Sequence, residues 1–151
     1  MAVYQVLKLP DETLRTRSAA VRKINDGVLR VLDNMRDTLY AEEGLGLAAP
    51  QIGILKRIIV VDTGEQYIEL INPEIIEREG EQTSTEGCLS VPGIIGRVKR
   101  SLHVKVSGLN RHGEQITIIG SELLAKALQH EIDHLDGILF IDKAIETRKE
   151  R

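Results

Sequence analysis

Tryptophan is absent from this 151-residue chain and phenylalanine occurs once, so the interior must be assembled from aliphatic side chains. A single cysteine, Cys88, rules out an intrachain disulfide and fits a reducing, cytoplasmic setting. No stretch approaches the roughly 18 uninterrupted apolar residues of a transmembrane helix, so no membrane partner is expected. Residues Met1 to Gln5 lack the basic-then-apolar signature of a secretory signal. Neither sign of charge dominates. Lys plus Arg number 20 and Asp plus Glu 23, and the net charge of -3 argues against a nucleic-acid binder held by phosphate contacts. There is no internal repeat, low-complexity tract or linker. With 42% hydrophobic and 28% charged residues, the chain has ordinary globular composition and reads as one domain, residues 1–151.

Histidine is also scarce, with four in the chain, yet two of them stand four apart in Gln129-His130-Glu131-Ile132-Asp133-His134. On a helix, residues i and i+4 lie one turn apart on one face, so both imidazoles can aim at one point. Two neutral imidazoles make half of a metal site, and the adjacent Glu131 is placed to act as general base and then general acid toward a water. This is the pattern of metal-dependent amide hydrolases. The competing reading is a polar helix face that happens to carry two histidines.

The pattern does not name a third ligand. Downstream of His134 only Asp136, Asp142, Glu146 and Glu150 are of ligand type, in a cap region and a charged tail. An upstream ligand is expected instead, and Cys88 is the best candidate. A thiolate binds a borderline or soft divalent metal firmly, and two His plus one Cys leave the fourth tetrahedral position open, as catalysis requires. Taken alone, Cys88 reads as a small buried hydrophobe.

The remaining elements follow from periodicity. Val28, Val31, Leu32, Met35 and Leu39 recur at helical spacing, predicting a helix from Asn25 or Asp26 to Ala41, with one of those two as N-cap. Gly44 to Gln51 then breaks the helix, and residues this small let backbone approach something closely. Gln51 is the polar side chain at the end of that run and the functional candidate within it. Ile58–Val61 and Tyr67–Ile71 read as strands, the second stopped by Asn72-Pro73; 77–85 reads as a surface loop or edge strand. Leu102 to Val106 and Ile116 to Ile118 alternate about an Asn110-to-Gly113 turn, predicting a hairpin with His103 and His112 solvated. Ser121 is the expected cap of the motif helix and Gly137 its C-terminal glycine. Ile138 to Ile141 is a candidate last strand, and 142–151 a charged tail that frays. Leu123 and Ala127 share the stripe of His130 and His134; they line an apolar pocket beside the metal or simply pack in the core.

Three blocks, in order, resemble the peptide deformylases: Gly44-Leu45-Gly46-Leu47-Ala48-Ala49-Pro50-Gln51, Glu86-Gly87-Cys88-Leu89-Ser90, and Gln129 through Gly137. The similarity spans nearly the whole chain. It implies an α+β fold with antiparallel β-sheets around a central C-terminal metal-binding helix, plus a long N-terminal helix. It implies hydrolysis of the formyl group from N-formylmethionyl nascent peptides in the cytoplasm of a bacterium, or less readily in an organelle. Natively the family holds Fe2+, with Zn2+, Ni2+ or Co2+ as substitutes. By this resemblance Cys88, His130 and His134 ligate the metal, Glu131 is the acid/base, and Gln51 with the Leu89 backbone N–H stabilises the oxyanion. Gly46, with the backbone around Leu45 and Gly87, pairs with the peptide main chain, and a pocket near Leu123 and Ala127 takes the methionine side chain. Arg100 is expected to pair with Asp133 behind the site. Ile95 stands where many relatives carry Arg or Tyr, and only a stub replaces the long basic C-terminal helix by which some relatives dock on the ribosome, so any ribosome contact is transient. Two other readings remain: a metallopeptidase or amidase for another substrate class, and a metal-stabilised interaction domain without turnover.

Overall fold

The computed structural model describes residues 2–150. Helix α1 spans Asp26–Ala41 and begins where expected, with the Asn25 side chain accepting the Val28 N–H at 3.0 Å. Its buried stripe, Val28, Leu32, Met35 and Leu39, packs with Val6, Leu47, Ile58, Val60 and Ile71 in one aliphatic cluster. Asn34 and Thr38, buried one turn apart on the same helix, accept the backbone N–H groups of Ala2 and Tyr4 and so tie the N-terminal segment to it.

Five antiparallel strands form the larger sheet: β1 (Gly46–Ala48), β2 (Ile58–Asp62), β3 (Tyr67–Glu79), then β6 (His103–Leu109) and β7 (Gln115–Ser121), in the order β1-β2-β3-β6-β7. The expected stop at Asn72-Pro73 does not occur. β3 runs through it, with a register shift between Ile71 and Glu74. Asn72 takes a positive φ of 54° that asparagine tolerates, and its side chain bonds both the N–H and C=O of Val21. The break signal is absorbed as a bulge because a tertiary partner fixes it. The 77–85 stretch is likewise strand rather than loop: β3 continues to Glu79, and β4 (Gln82–Cys88) follows.

β4, β5 (Val91–Arg100) and β8 (Ala144–Lys149) form the second sheet, with β5 central. The charged tail expected to fray is therefore ordered through β8, which pairs with Ile94–Val98; Arg151 lies outside the described residues. The run expected as a last strand at 138–141 is instead a helical turn, α3 (Phe140–Lys143), started by Asp142 accepting the Leu139 N–H at 2.9 Å.

Helix α2 spans Leu123–Leu135 and packs on the larger sheet. Ala125, Leu128, Ile132 and Leu135 meet Ala48, Ile59, Val61, Leu70, Val104 and Val106. Ser121 is not its cap. It ends β7, and Glu122 (φ 53°) turns the chain from strand to helix. At the other end Gly137 has φ +75°, and a Cβ there would collide with the Arg15 backbone, so glycine is required on two counts. Among the described residues no helix is long and apolar enough to cross a membrane.

Candidate metal centre

His130 and His134 emerge from successive turns of α2 with ring centroids 5.0 Å apart. Cys88 arrives from the end of β4, where a register shift between Glu86 and Cys88 bends the strand before the turn into β5. The ligand atoms of Cys88, His130 and His134 all lie within 4.8 Å of one another, and Cys88 Sγ is 3.3 Å from His134 Nε2. One sulfur and two imidazole nitrogens converging from two elements suit a tetrahedral ion with an open position.

The surroundings test that fit. The other nitrogen of His130, Nδ1, lies 2.8 Å from Glu86 Oε1, which fixes the tautomer and leaves Nε2 free for a ligand role. Arg100 grips Glu86 with two hydrogen bonds of 2.9 Å and reaches Asp133 Oδ2 at 2.5 Å. Both members of the Arg100–Glu86 pair are buried, with side chains 2% and 3% exposed. Burial alone would raise the Glu86 pKa, but the hydrogen bonds from Arg100 and His130 bring it down to about 2. Burial holds His134 well below its usual value, helped by the positive charge at His130 and Arg100, so it keeps a neutral imidazole fit to bind metal. Burial also lowers His130, yet its bonds to Cys88 and Glu86 outweigh that and lift it to about 10. Sulfur on one side and carboxylate on the other favour a positive charge at the centre, whether a proton or a metal ion carries it. The chain's one phenylalanine, Phe140, stacks on His130 at 6.2 Å between centroids.

Glu131 is buried, and burial lifts its pKa to about 7, with the coulombic pull of His130 opposing. Its Oε1 has no hydrogen-bond partner among the described residues, as a group waiting for water or substrate would. Gly46 explains how Glu131 fits: a Cβ at that position would stand 2.6 Å from Glu131 Oε2. The close approach expected of the glycine-rich run is thus an approach to the acid/base candidate. Gln51 sits in the 3-10 turn Ala49–Ile52 after β1. Its Oε1 accepts the Ala48 N–H at 2.9 Å, so its amide nitrogen is the group that faces inward, 3.1 Å from Ser90 Oγ and 3.6 Å from Cys88 Sγ.

A cavity of about 550 Å³ opens over these groups. Leu45, Gly46, Gln51, Gly87, Leu89 and Ala127 all line it, as do Pro92 to Ile95. β1 and β4, each an edge strand of its own sheet, both contribute to its wall. The Leu45 carbonyl is taken by the Asp62 N–H at 2.9 Å, and Leu45 and Gly46 both line the cavity. Leu123 does not line it. This residue opens α2 and is 44% exposed, because the shared stripe begins before any element covers it. His103 and His112 are exposed, as expected of solvated histidines.

Two functional neighbours escaped the sequence reading. Glu86 stands two residues before Cys88 on one strand, and a carboxylate so placed is a natural partner for a metal-binding imidazole. Ser90 belongs to the same block, but its contact with the Gln51 amide depends on where Gln51 arrives in the fold. The Arg100–Asp133 contact was expected and is present.

A family model described as polypeptide deformylase matches residues 3–150. A peptide deformylase of Syntrophomonas wolfei is 64% identical over 151 residues, covering 100% of this chain and 99% of that protein. The crystal structure of a peptide deformylase from Legionella pneumophila superposes with a TM-score of 0.90 at 43% identity, over 93% of this chain and 85% of that one. That of a peptide deformylase from Ehrlichia chaffeensis in complex with actinonin gives 0.94 at 35% identity, over 97% and 91%.

Proposed function

The chain belongs to the peptide deformylase family, and from that premise we propose how its residues remove the formyl group from the N-terminal formyl-methionine of nascent proteins. The observation that carries the reading is the convergence of Cys88, His130 and His134 within 4.8 Å beside a buried, unpartnered Glu131 oxygen. Cys88, His130 and His134 would hold one divalent ion, which when bound would supply Lewis acidity for activating water near neutral pH.

The remaining work belongs to the chain. The peptide extends between the edges of β1 and β4, with the Gly46 and Gly87 backbone beside it. Glu131 takes the proton of the attacking water as the water's oxygen bonds to the formyl carbon. The Gln51 amide N–H and the Leu89 backbone N–H donate to the formyl oxygen as negative charge builds there, each worth roughly 3 to 4 kcal/mol by analogy with measured oxyanion donors. Glu131 then passes its proton to the nitrogen as the C–N bond breaks. Formate and a free amino terminus leave. A carboxyl with a pKa of about 7 is suited to both halves of this transfer.

Fe2+ is the native ion in this reading, with Zn2+, Ni2+ or Co2+ as working substitutes. The enzyme acts in the bacterial cytoplasm and meets the ribosome only transiently. A purely structural site would be closed by four protein ligands; among the described residues three converge here.

The test is to load the protein anaerobically with iron and offer formyl-Met-Ala-Ser and its acetyl analogue. Formate release from the first and little hydrolysis of the second is expected. A metal-loaded protein that leaves the formyl peptide intact would overturn the reading; preference for the acetyl peptide would point to an amidase of larger acyl groups. Loss of activity in air with iron but not with zinc is the expected mark of the native ion.

A further inference from the structure

Lys126 lines the same cavity and has no part in the chemistry above. It precedes His130 by four residues on α2, so its Cα stands about one helical turn, ~5.4 Å along the axis, from that of the ligand histidine. Its side chain is half-buried, and among the described residues its one hydrogen-bond partner is the Thr85 carbonyl, at a long 3.4 Å. An ammonium carries three donors, so this one, in exposed contact with Thr85 beside the cavity, has capacity to spare. Beside it Ala127, 2% exposed, provides a small floor one turn before Glu131, and Ile94 and Ile95 line the space from β5. Apolar lining from Ala127, Ile94 and Ile95 thus adjoins a cation, the lysine stem continuing that lining up to the charge.

The reach identifies what meets that charge. With the formyl carbon held at the Cys88–His130–Glu131 end, the side chain of the formylated residue is the group that extends about one helical turn along α2. In an extended peptide the next side chain points to the opposite face. A methionine thioether is only a weak acceptor. Its sulfoxide carries a polar oxygen at the same place.

On the deformylase reading above, we propose that Lys126 determines specificity at the first residue, donating to the end of its side chain. It thereby admits formyl peptides whose first side chain ends in a hydrogen-bond acceptor, formyl-methionine sulfoxide above all. The hydrolysis is unchanged and the sulfoxide passes through without oxidation or reduction.

The test uses metal-loaded enzyme and three peptides, formyl-Met-Ala-Ser, its methionine-sulfoxide form and formyl-norleucine-Ala-Ser, with wild type, Lys126→Met and Lys126→Arg. Each protein's own turnover of formyl-Met-Ala-Ser is the reference and reports that it is folded. Wild type should hydrolyse the sulfoxide peptide with kcat/KM within roughly tenfold of the methionine peptide, and Lys126→Met should widen that gap by about tenfold or more, as expected for a lost side-chain hydrogen bond in a pocket. The methionine-to-norleucine ratio should not move, and Lys126→Arg should restore the sulfoxide ratio. An unmoved sulfoxide ratio in Lys126→Met, or wild type inert to the sulfoxide peptide, would overturn the inference. Wild type inert to all three peptides would instead sink the deformylase reading.

Discussion

Gly46 and Glu131 occupy one another's space: a methyl group on Gly46 would sit 2.6 Å from Glu131 Oε2 and 2.9 Å from its Cγ. The edge strand β1 and the helix α2 are therefore fitted together at the carboxylate, with no room for any side chain between them. Placement of that carboxylate depends on a glycine 85 positions away in the chain.

Gly46→Ala should accordingly displace Glu131 without touching a metal ligand. A shift of about 1 Å in a reacting group costs on the order of 100-fold in rate, so kcat should fall by about that factor. Metal content by elemental analysis should stay at one ion per chain. Unchanged kcat would show that Glu131 tolerates the shift and that its position is not critical.

Removing the chemical groups themselves should separate binding from turnover. Glu131→Ala is expected to retain metal and lose turnover by several orders of magnitude, because proton transfer is lost while all three ligands stay. Cys88→Ala is expected to lose the metal. Gln51→Ala should retain metal and lower kcat by roughly 100-fold or more, the usual cost of an oxyanion donor. Elemental analysis and steady-state kinetics on the same samples distinguish the three.

Arg100 ties β5 to both β4 and α2 through Glu86 and Asp133. Truncating one partner of a buried ion pair leaves the other charge uncompensated, which costs about 3 to 5 kcal/mol. Arg100→Ala should lower the thermal unfolding midpoint and weaken metal retention, since Glu86 then loses the group that aims it at His130. A variant that kept both stability and metal would remove Arg100 from the account of the site.

Glu86 predicts how acid affects the fold. Its pKa falls from 4.5 to about 2 in the folded chain. A depressed carboxylate pKa means that the folded state binds this proton less readily than the unfolded state. The stabilisation is therefore complete above pH 4.5 and is lost as pH falls toward about 2. By linkage it amounts to roughly 3 kcal/mol. Denaturant titrations of metal-free protein across that window should show the loss, and Glu86→Gln should flatten it. Equal slopes in the two proteins would mean that Glu86 is not the titrating group.

Local rules were enough for α1, whose Asn25 cap and apolar stripe agree with the structure, and for the β6–β7 hairpin, whose alternation and turn residues do too. They failed where a distant partner overruled a local signal. Asn72-Pro73 carries turn chemistry, yet the strand continues because Val21 binds the Asn72 side chain. The charged tail has no hydrophobic period, yet it orders because β5 offers an edge to pair with. Leu123 shares the histidine stripe but lies at the start of α2, 44% exposed and away from the cavity.

The sequence by itself determined the chemistry on offer. The four-residue spacing of His130 and His134 commits them to one helix face, and the lone Cys88 was the natural candidate for a third ligand. Tertiary structure decided what surrounds those groups. It brought Glu86 to His130, set Gly46 against Glu131, turned the Gln51 amide toward Cys88, and placed Lys126 in the cavity wall. The physical reason is the range of the forces involved. Helical spacing is fixed within one turn of backbone, whereas burial, pKa and cavity shape come from groups that only the folded chain brings together.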